Sequence, residues 1–259
     1  MNLSENWAEG RIALVTGATS GFGAAMARRV LAAGGKVIAT GRREDRLAAL
    51  AAEAPAGMIC TIALDVSEKG AGERLLAAIP AEFAAIDILF NNAGLALGLE
   101  PAQRGDIDDW ETMIATNVAG FARITHAVLP GMVERGRGHI INLSSIAATW
   151  PYPGGNIYAA TKAFVRQLSL NLRADLLGTR IKVTSLEPGL CETEFSLVRF
   201  GGDAAKADSL YANVDALSAD DVIDSVEAVL RLPEHLNVNS LEIMPVQQAF
   251  APLSVSRYT

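Results

Sequence analysis

Arg11-Ile-Ala-Leu-Val-Thr16-Gly17-Ala-Thr-Ser-Gly21-Phe-Gly23, running on into Ala24 to Ala33, carries the reading on which the fold turns. The apolar run Arg11 to Thr16 reads as a short buried strand, and the stretch after Gly23 has the pattern of a helix. Strand, glycine loop, helix is the setting in which such a loop can hold a dinucleotide. Backbone without Cβ can approach a pyrophosphate, and the helix start offers free N–H groups and the positive end of its dipole. Gly17, Thr19, Ser20, Gly21, Phe22 and Gly23 are therefore candidate cofactor contacts. The spacing is G-x-x-x-G-x-G, so a tight turn without a ligand is the competing reading of the loop by itself.

Outward from this unit the pattern repeats. Lys36 to Thr40 is a second strand, ending in Gly41-Arg42-Arg43. An NAD site would place an acid about twenty residues past the glycines. Here stand two arginines, which suit the extra phosphate of NADP; a solvated helix start is the alternative. Glu44 and Asp45 read as first-turn acids of a helix from Glu44 to Glu53. A third strand, Met58 to Leu64, leads into Asp65 and Val66 at the expected ligand crevice. Asp65 there can accept from an adenine amino group or cap the next helix, and the two are compatible. That helix spans roughly Ala71 to Ile79. Ile86 to Phe90 forms a fourth strand, closing in Asn91-Asn92-Ala93-Gly94, short residues that bond backbone and admit a ligand. A long helix follows between Asp106 and Val133, with Asp108 or Asp109 near its cap and Asn117 inside it. An asparagine in mid-helix is unhelpful for propensity, so it is either exposed or employed.

The later strands are His139 to Leu143, Ile181 to Leu186 before Glu187-Pro188-Gly189, and Leu241 to Met244. A helix runs from near Tyr158 to about Leu177, with Gly178 as its stop, and another spans Ala219 to Arg231. Residues 190–218 read as a mobile polar segment and a substrate lid, with Gly201-Gly202 inside it. Strand and helix alternate without a composition break or repeat. The expectation is one α/β domain over 1–259, a doubly wound parallel sheet flanked by helices.

Composition narrows the function. With 22 basic and 29 acidic residues and a net charge of −7, neither a nucleic-acid binder nor a basic membrane-surface protein is expected. No apolar run reaches the ~18 residues of a membrane span, and the polar start has no signal-peptide core. Cys60 and Cys191 are isolated, and His126, His139 and His235 are scattered, so no disulfide framework or metal site is readable. A cytoplasmic, metal-free protein is expected.

The chemistry gathers in Asn142 to Lys162, where a strand ends in Ser144-Ser145 and a Pro/Gly-rich loop leads to Tyr158 and Lys162. Four residues apart on a helix, these two share a face. Unit charges ~4 Å apart near a protein surface interact by about 4 kcal/mol. That would bring a phenol from about 10 toward neutrality, less whatever burial takes back. A strand-end serine can hydrogen-bond the oxygen that the tyrosine protonates. Such a site suits carbonyl and alcohol chemistry.

Thr16-Gly17-x-x-x-Gly21-x-Gly23, Asn91-Asn92-Ala93-Gly94, Asn117, Ser145, Tyr158-x-x-x-Lys162 and Pro188-Gly189 occur in the order of the short-chain dehydrogenases/reductases, and the chain resembles that family from about Arg11 to Pro245. The resemblance implies a seven-stranded Rossmann-type sheet, usually in a homotetramer or homodimer; a homotetramer is the expected assembly. It implies that Tyr158 is the acid/base and that Lys162 holds the nicotinamide ribose and lowers the tyrosine's pKa. Ser145 would orient the substrate oxygen, and Asn117 would hold a water in proton transfer. Ser144 competes with Ser145, but the thirteen-residue step to Tyr158 fits the family better. Thr193 resembles the position that bonds the nicotinamide carboxamide, beside Pro188 and Gly189.

Asn92-Ala-Gly-Leu-Ala-Leu-Gly, Trp150-Pro-Tyr-x-Gly-Gly-Asn and Glu192-Thr-Glu-Phe-Ser-x-Val-Arg-Phe look like the NADP-dependent 3-hydroxy acid dehydrogenases, which act on serine, allo-threonine or 3-hydroxypropionate types. Sulfoacetaldehyde reductases share these segments. A small anionic carbonyl or hydroxy acid substrate would need a cation in the pocket. Arg199 is the first candidate, with a rim pairing to Glu194 or Asp203 as the alternative. Phe200 before Gly201-Gly202-Asp203 departs from the pattern, where a basic residue would be expected. A broad carbonyl reductase is a further reading, and a non-catalytic NADP-sensing protein is the alternative from another class.

Overall fold

The computed structural model describes residues 5–250; Met1 to Ser4 and Ala251 to Thr259, part of the expected 1–259 domain, lie outside the described residues. Seven parallel strands form one sheet: β1 Ile12–Thr16, β2 Lys36–Gly41, β3 Ile59–Ala63, β4 Ile88–Asn91, β5 Gly138–Leu143, β6 Ile181–Pro188 and β7 Ser240–Ile243. Their order is β3-β2-β1-β4-β5-β6-β7, so the chain reverses its winding between β1 and β4. A crevice opens at such a point, outside the carboxyl ends of the strands.

Apolar residues on both faces of the central strands explain why helices cover both sides. Ala13 and Val15 of β1 face a core with helix α1 (Gly21–Ala32), α2 (Glu44–Glu53) and the later helix Ala219–Leu230. Ile12 and Leu14 face the opposite core, built with α3 (Ala71–Ala78) and with the helices Phe121–Arg135 and Asn156–Asp175. A smaller apolar cluster of Leu95, Ala96, Met113, Ala147 and Tyr158 sits apart from both. The chain start, read as polar, contributes buried Trp7 and Ala8 to the first core.

Several boundaries differ from expectation for local reasons. α1 begins at Gly21, three residues early, because the glycine loop itself completes the first helical turn. α4 (Ile107–Ile114) is capped by Asp106, not by Asp108 or Asp109: the Asp106 carboxylate accepts from the Asp108 N–H at 2.9 Å. The two later acids instead fill the first turn, against the dipole's positive end. The long helix runs without a gap but changes register inside. A π-helical turn, Ala115–Gly120, separates α4 from α5 (Phe121–Arg135), and Asn117 lies in that turn. α6 (Asn156–Asp175) starts two residues before Tyr158. The segment 190–218 is not plain loop, since it folds α7 (Glu194–Arg199) and α8 (Ala204–Ser209) before α9 (Ala219–Leu230). Asp203 and Thr193 act as their caps.

Candidate active site

A cavity of about 690 Å³ runs along the carboxyl ends of the strands. At one end lie Thr19, Ser20, Gly21 and Phe22 of the glycine loop, with Arg42, Arg43, Asp65 and Val66; at the other are Ser145, Tyr158, Lys162 and Arg199. Gly17, Asn92, Ala93, Gly94, Pro188, Gly189 and Thr193 line it between the two ends. Gly23 and Asn117, also expected at the site, stand behind its wall. Gly17 takes a left-handed φ of +66°. A Cβ on Gly23 would lie 2.2 Å from the Gly17 carbonyl oxygen, so the loop closes this tightly only with glycine there.

The middle wall is held by short polar side chains. Thr16 Oγ1 accepts from the N–H groups of Asn92 and Ala93, both at 2.9 Å. Asn92 Nδ2 donates back to the Thr16 carbonyl at 2.8 Å, which ties β4 to the glycine loop. Asn117 is buried: its amide donates to the Leu95 carbonyl at 2.8 Å and to Thr161 Oγ1 at 3.1 Å, and accepts from the Leu95 N–H at 2.9 Å. A Cβ on Gly94 would sit 3.2 Å from Asn117 Oδ1 and 3.5 Å from Lys162 Nζ, so these two groups meet behind one glycine.

At the chemical end, Ser144 donates to the Lys162 carbonyl at 2.8 Å, which fixes it to α6. Ser145 takes a hydrogen bond from the Ala147 N–H at 3.1 Å and donates to the Pro188 carbonyl at 3.4 Å, beside the Tyr158 phenol in the cavity wall. Lys162 Nζ donates to the Leu143 carbonyl at 2.8 Å and lies 5.7 Å from the Tyr158 ring centroid. The electrostatics correct the simple pairwise expectation. Burial raises the Tyr158 pKa above that of a free phenol, aided by Tyr152, while Ser145 and Arg199 pull it back only in part. Burial also lowers Lys162 to about 8. Desolvation thus dominates at both groups: both are buried, and the amine is turned to a backbone carbonyl.

Arg199 faces the pocket. It pairs with neither Glu194 nor Asp203; its Nε donates to the Gly98 carbonyl at 3.2 Å and its Nη2 to the Tyr152 hydroxyl at 2.9 Å. Its guanidinium lies 5.5 Å from the ring centroids of both Tyr152 and Tyr158. Tyr152 went unassigned in the sequence, although it stands in the quoted Trp150-Pro-Tyr run. Only the fold brings that loop against α7.

At the phosphate end, Arg43 reaches Thr19 Oγ1 from Nε and Nη2 at 3.2 and 3.0 Å, and Arg42 comes within 3.9 Å of Asp65. Asp65 Oδ1 accepts from the N–H and hydroxyl of Ser67 at 2.9 and 2.6 Å, which closes a turn in the loop; it does not cap α3, whose N-cap is Gly70. Although burial opposes it, these bonds and Arg42 hold the Asp65 carboxyl below the usual range. Ser20 makes no side-chain bond to the first turn of α1, and no acid stands there, which leaves the positive helix end facing the cavity. Two exposed arginines, an uncapped helix start and a long cavity fit a phosphorylated dinucleotide. Among the described residues no group of three or more metal-ligating side chains occurs, and no helix is long and apolar enough to cross a membrane.

The short chain dehydrogenase profile matches residues 11–199. The chain belongs to the short-chain dehydrogenase family. Among its relatives, the NADP-dependent 3-hydroxy acid dehydrogenase YdfG of Salmonella typhi is 58% identical over 247 residues, covering 95% of this chain and 99% of that one. Serine 3-dehydrogenase of Agrobacterium fabrum is 53% identical over 244 residues, 94% of this chain and 97% of its own. Among solved structures, the closed form of serine dehydrogenase complexed with NADP⁺ superposes with a TM-score of 0.93 at 56% identity, covering 95% of this chain and all 100% of that one. The expected family, the seven-stranded Rossmann-type fold and the dehydrogenase class thus hold; YdfG is named NADP-dependent, and the solved serine dehydrogenase is complexed with NADP⁺.

Proposed function

We propose that this short-chain dehydrogenase interconverts a small 3-hydroxy acid and its carbonyl form with NADP, as a cytoplasmic homotetramer. The observation that carries the reading is Arg199, held by Gly98 and Tyr152 with its guanidinium beside the Tyr158 ring. A cation fixed beside an acid/base suits a substrate whose reacting carbon lies near an anion.

Bound NADP supplies or accepts the hydride at the carbinol carbon. The glycine loop and the start of α1 hold its pyrophosphate, Arg42 and Arg43 its 2′-phosphate, and Lys162 and Thr193 its nicotinamide end. In the reducing direction Tyr158 donates its proton to the carbonyl oxygen as the carbon gains the hydride. Burial suits that step, since it keeps the phenol protonated until the oxygen needs the proton. The Ser145 hydroxyl, which lines the cavity with the phenol, orients the same oxygen. Lys162, with a pKa of about 8, can return a proton toward Tyr158 at working pH, and Asn117 holds the wall beside it. Oxidation runs through the same atoms in reverse. Arg199 takes the carboxylate through its remaining donors.

A turnover screen tests the reading. NADP⁺ should be reduced with serine, allo-threonine or 3-hydroxypropionate, and NADPH oxidised with malonic semialdehyde. Turnover confined to sulfoacetaldehyde or to neutral ketones would overturn the carboxylate assignment, because a guanidinium also accepts a sulfonate. NADPH binding without turnover of any of these would favour the sensing protein.

A further inference from the structure

Glu194 stands outside the roles assigned above, yet it joins the two ends of the cavity. Its Oε2 accepts from Arg43 Nη1 at 3.1 Å and its Oε1 from Arg46 Nη1 at 3.0 Å. Since Arg43 also grips Thr19, the glycine loop, the start of α2 and the first residue of α7 are linked in one chain of bonds. The far end of α7 is held as firmly. The Gly98 N–H donates to the Arg199 carbonyl at 3.1 Å, and the Arg199 side chain reaches Gly98 and Tyr152. Between these clamps α7 is held by the Thr193 cap, by the Ser196–Tyr211 hydrogen bond and by Phe195 against the Tyr158 ring, all near its first turn. It is six residues long, buries Ser196 alone, and leaves Leu197 and Val198 exposed. A helix this short is not stable by itself.

We propose that Glu194 is a positioning residue: anchored to Arg43 and Arg46, it sets α7 so that Arg199 meets the substrate's anion. Recognition of the acid at one end of the cavity then depends on arginines at the phosphate end. This rests on the dehydrogenase reading above, in which Arg199 binds the carboxylate. Arg46 offers a clean handle, because it pairs with Glu194 but does not line the cofactor cavity.

Glu194→Gln and Arg46→Met should each raise KM for the 3-hydroxy acid about three- to tenfold at saturating NADP⁺, about 0.7–1.4 kcal/mol, with kcat changed less. A neutral alcohol should respond little, since it does not use Arg199. Glu194→Gln should have the larger effect, because Arg46→Met leaves the Arg43 pairing in place, and the double variant should resemble Glu194→Gln alone. Hydrogen exchange on the NADPH-bound protein without substrate gives a second readout. Amides of 194–209 should exchange faster in each variant than in the wild type. Wild-type exchange there, additive KM effects, or equal losses for the neutral alcohol would each overturn the proposal. If instead the wild type turns over no hydroxy acid, the substrate reading fails while the exchange data still report on the bridge.

Discussion

Tyr158 and Lys162 show how one environment acts oppositely on an acid and a base. Burial keeps the phenol protonated and pushes the ammonium to give up its proton. Tyr158→Phe keeps the ring and removes the proton donor, so turnover should fall by about 10²–10⁴ while NADPH titrations change little. A variant that retains more than a tenth of activity would refute the assignment. Lys162 also makes a statement about stability. Its folded pKa of about 8 lies below the usual lysine value. Below pH 8 the folded chain therefore carries a buried ammonium at full cost. From about pH 8 to 10.5 the unfolded chain holds a proton that the folded one releases, so stability rises with pH in that window. The cost is on the order of 3 kcal/mol, offset in part by a hydrogen bond to Leu143 worth about 1 kcal/mol. Lys162→Met should then melt higher than the wild type at pH 7, with the gain shrinking toward pH 10, and be inactive. A lower melting temperature at pH 7 would contradict this account.

At the scale of elements, the junctions at strand ends carry the specificity. The turn from β2 into α2 presents Arg42 and Arg43. Charge-assisted bonds to a phosphate are worth roughly 1.5–3 kcal/mol each, so the double alanine variant should lose affinity for NADPH by one to several orders of magnitude. Binding of NADH should barely change. Equal losses for both cofactors would make the arginines supports of the loop, as the Thr19 bonds of Arg43 already are in part. α7 presents Arg199 to the other end of the cavity. Arg199→Met keeps much of the stem and removes the fork, and kcat/KM for a 3-hydroxy acid should fall about 10- to 100-fold, roughly 1.4–2.7 kcal/mol. A neutral alcohol assayed beside it should hold its rate. A parallel fall for both would point to a packing role between Tyr152 and Tyr158.

At the scale of the whole molecule, exposed apolar side chains bear on assembly. Ile107 and Ile114 of α4, and Phe164 of α6, expose large apolar side chains on helices that cover one face of the sheet. Covering such surface with other copies of the chain would remove it from water. Light scattering on the eluting protein should therefore give four times the 27.3 kDa chain mass. A mass of one chain at micromolar concentration would exclude the tetramer, and twice the chain mass would make it a dimer.

Local pattern by itself determined much of this protein. The period of the apolar runs, the glycines after β1 and the i, i+4 step of Tyr158 and Lys162 are properties of neighbouring residues, which act through backbone geometry within one or two turns. Other features depended on residues far apart in the chain. Asn117 is employed because a π-turn aims it at the Leu95 backbone. Arg199 enters the pocket because Gly98 and Tyr152 come from two other loops, and Glu194 is drawn instead to Arg43 and Arg46. The same holds for charge. The helical spacing predicts a tyrosine pulled toward neutrality, but the pKa follows from how much water the packed loops exclude, and burial outweighs the pull of Arg199. Spacing along a helix places charges next to one another; only tertiary packing sets the dielectric in which they interact.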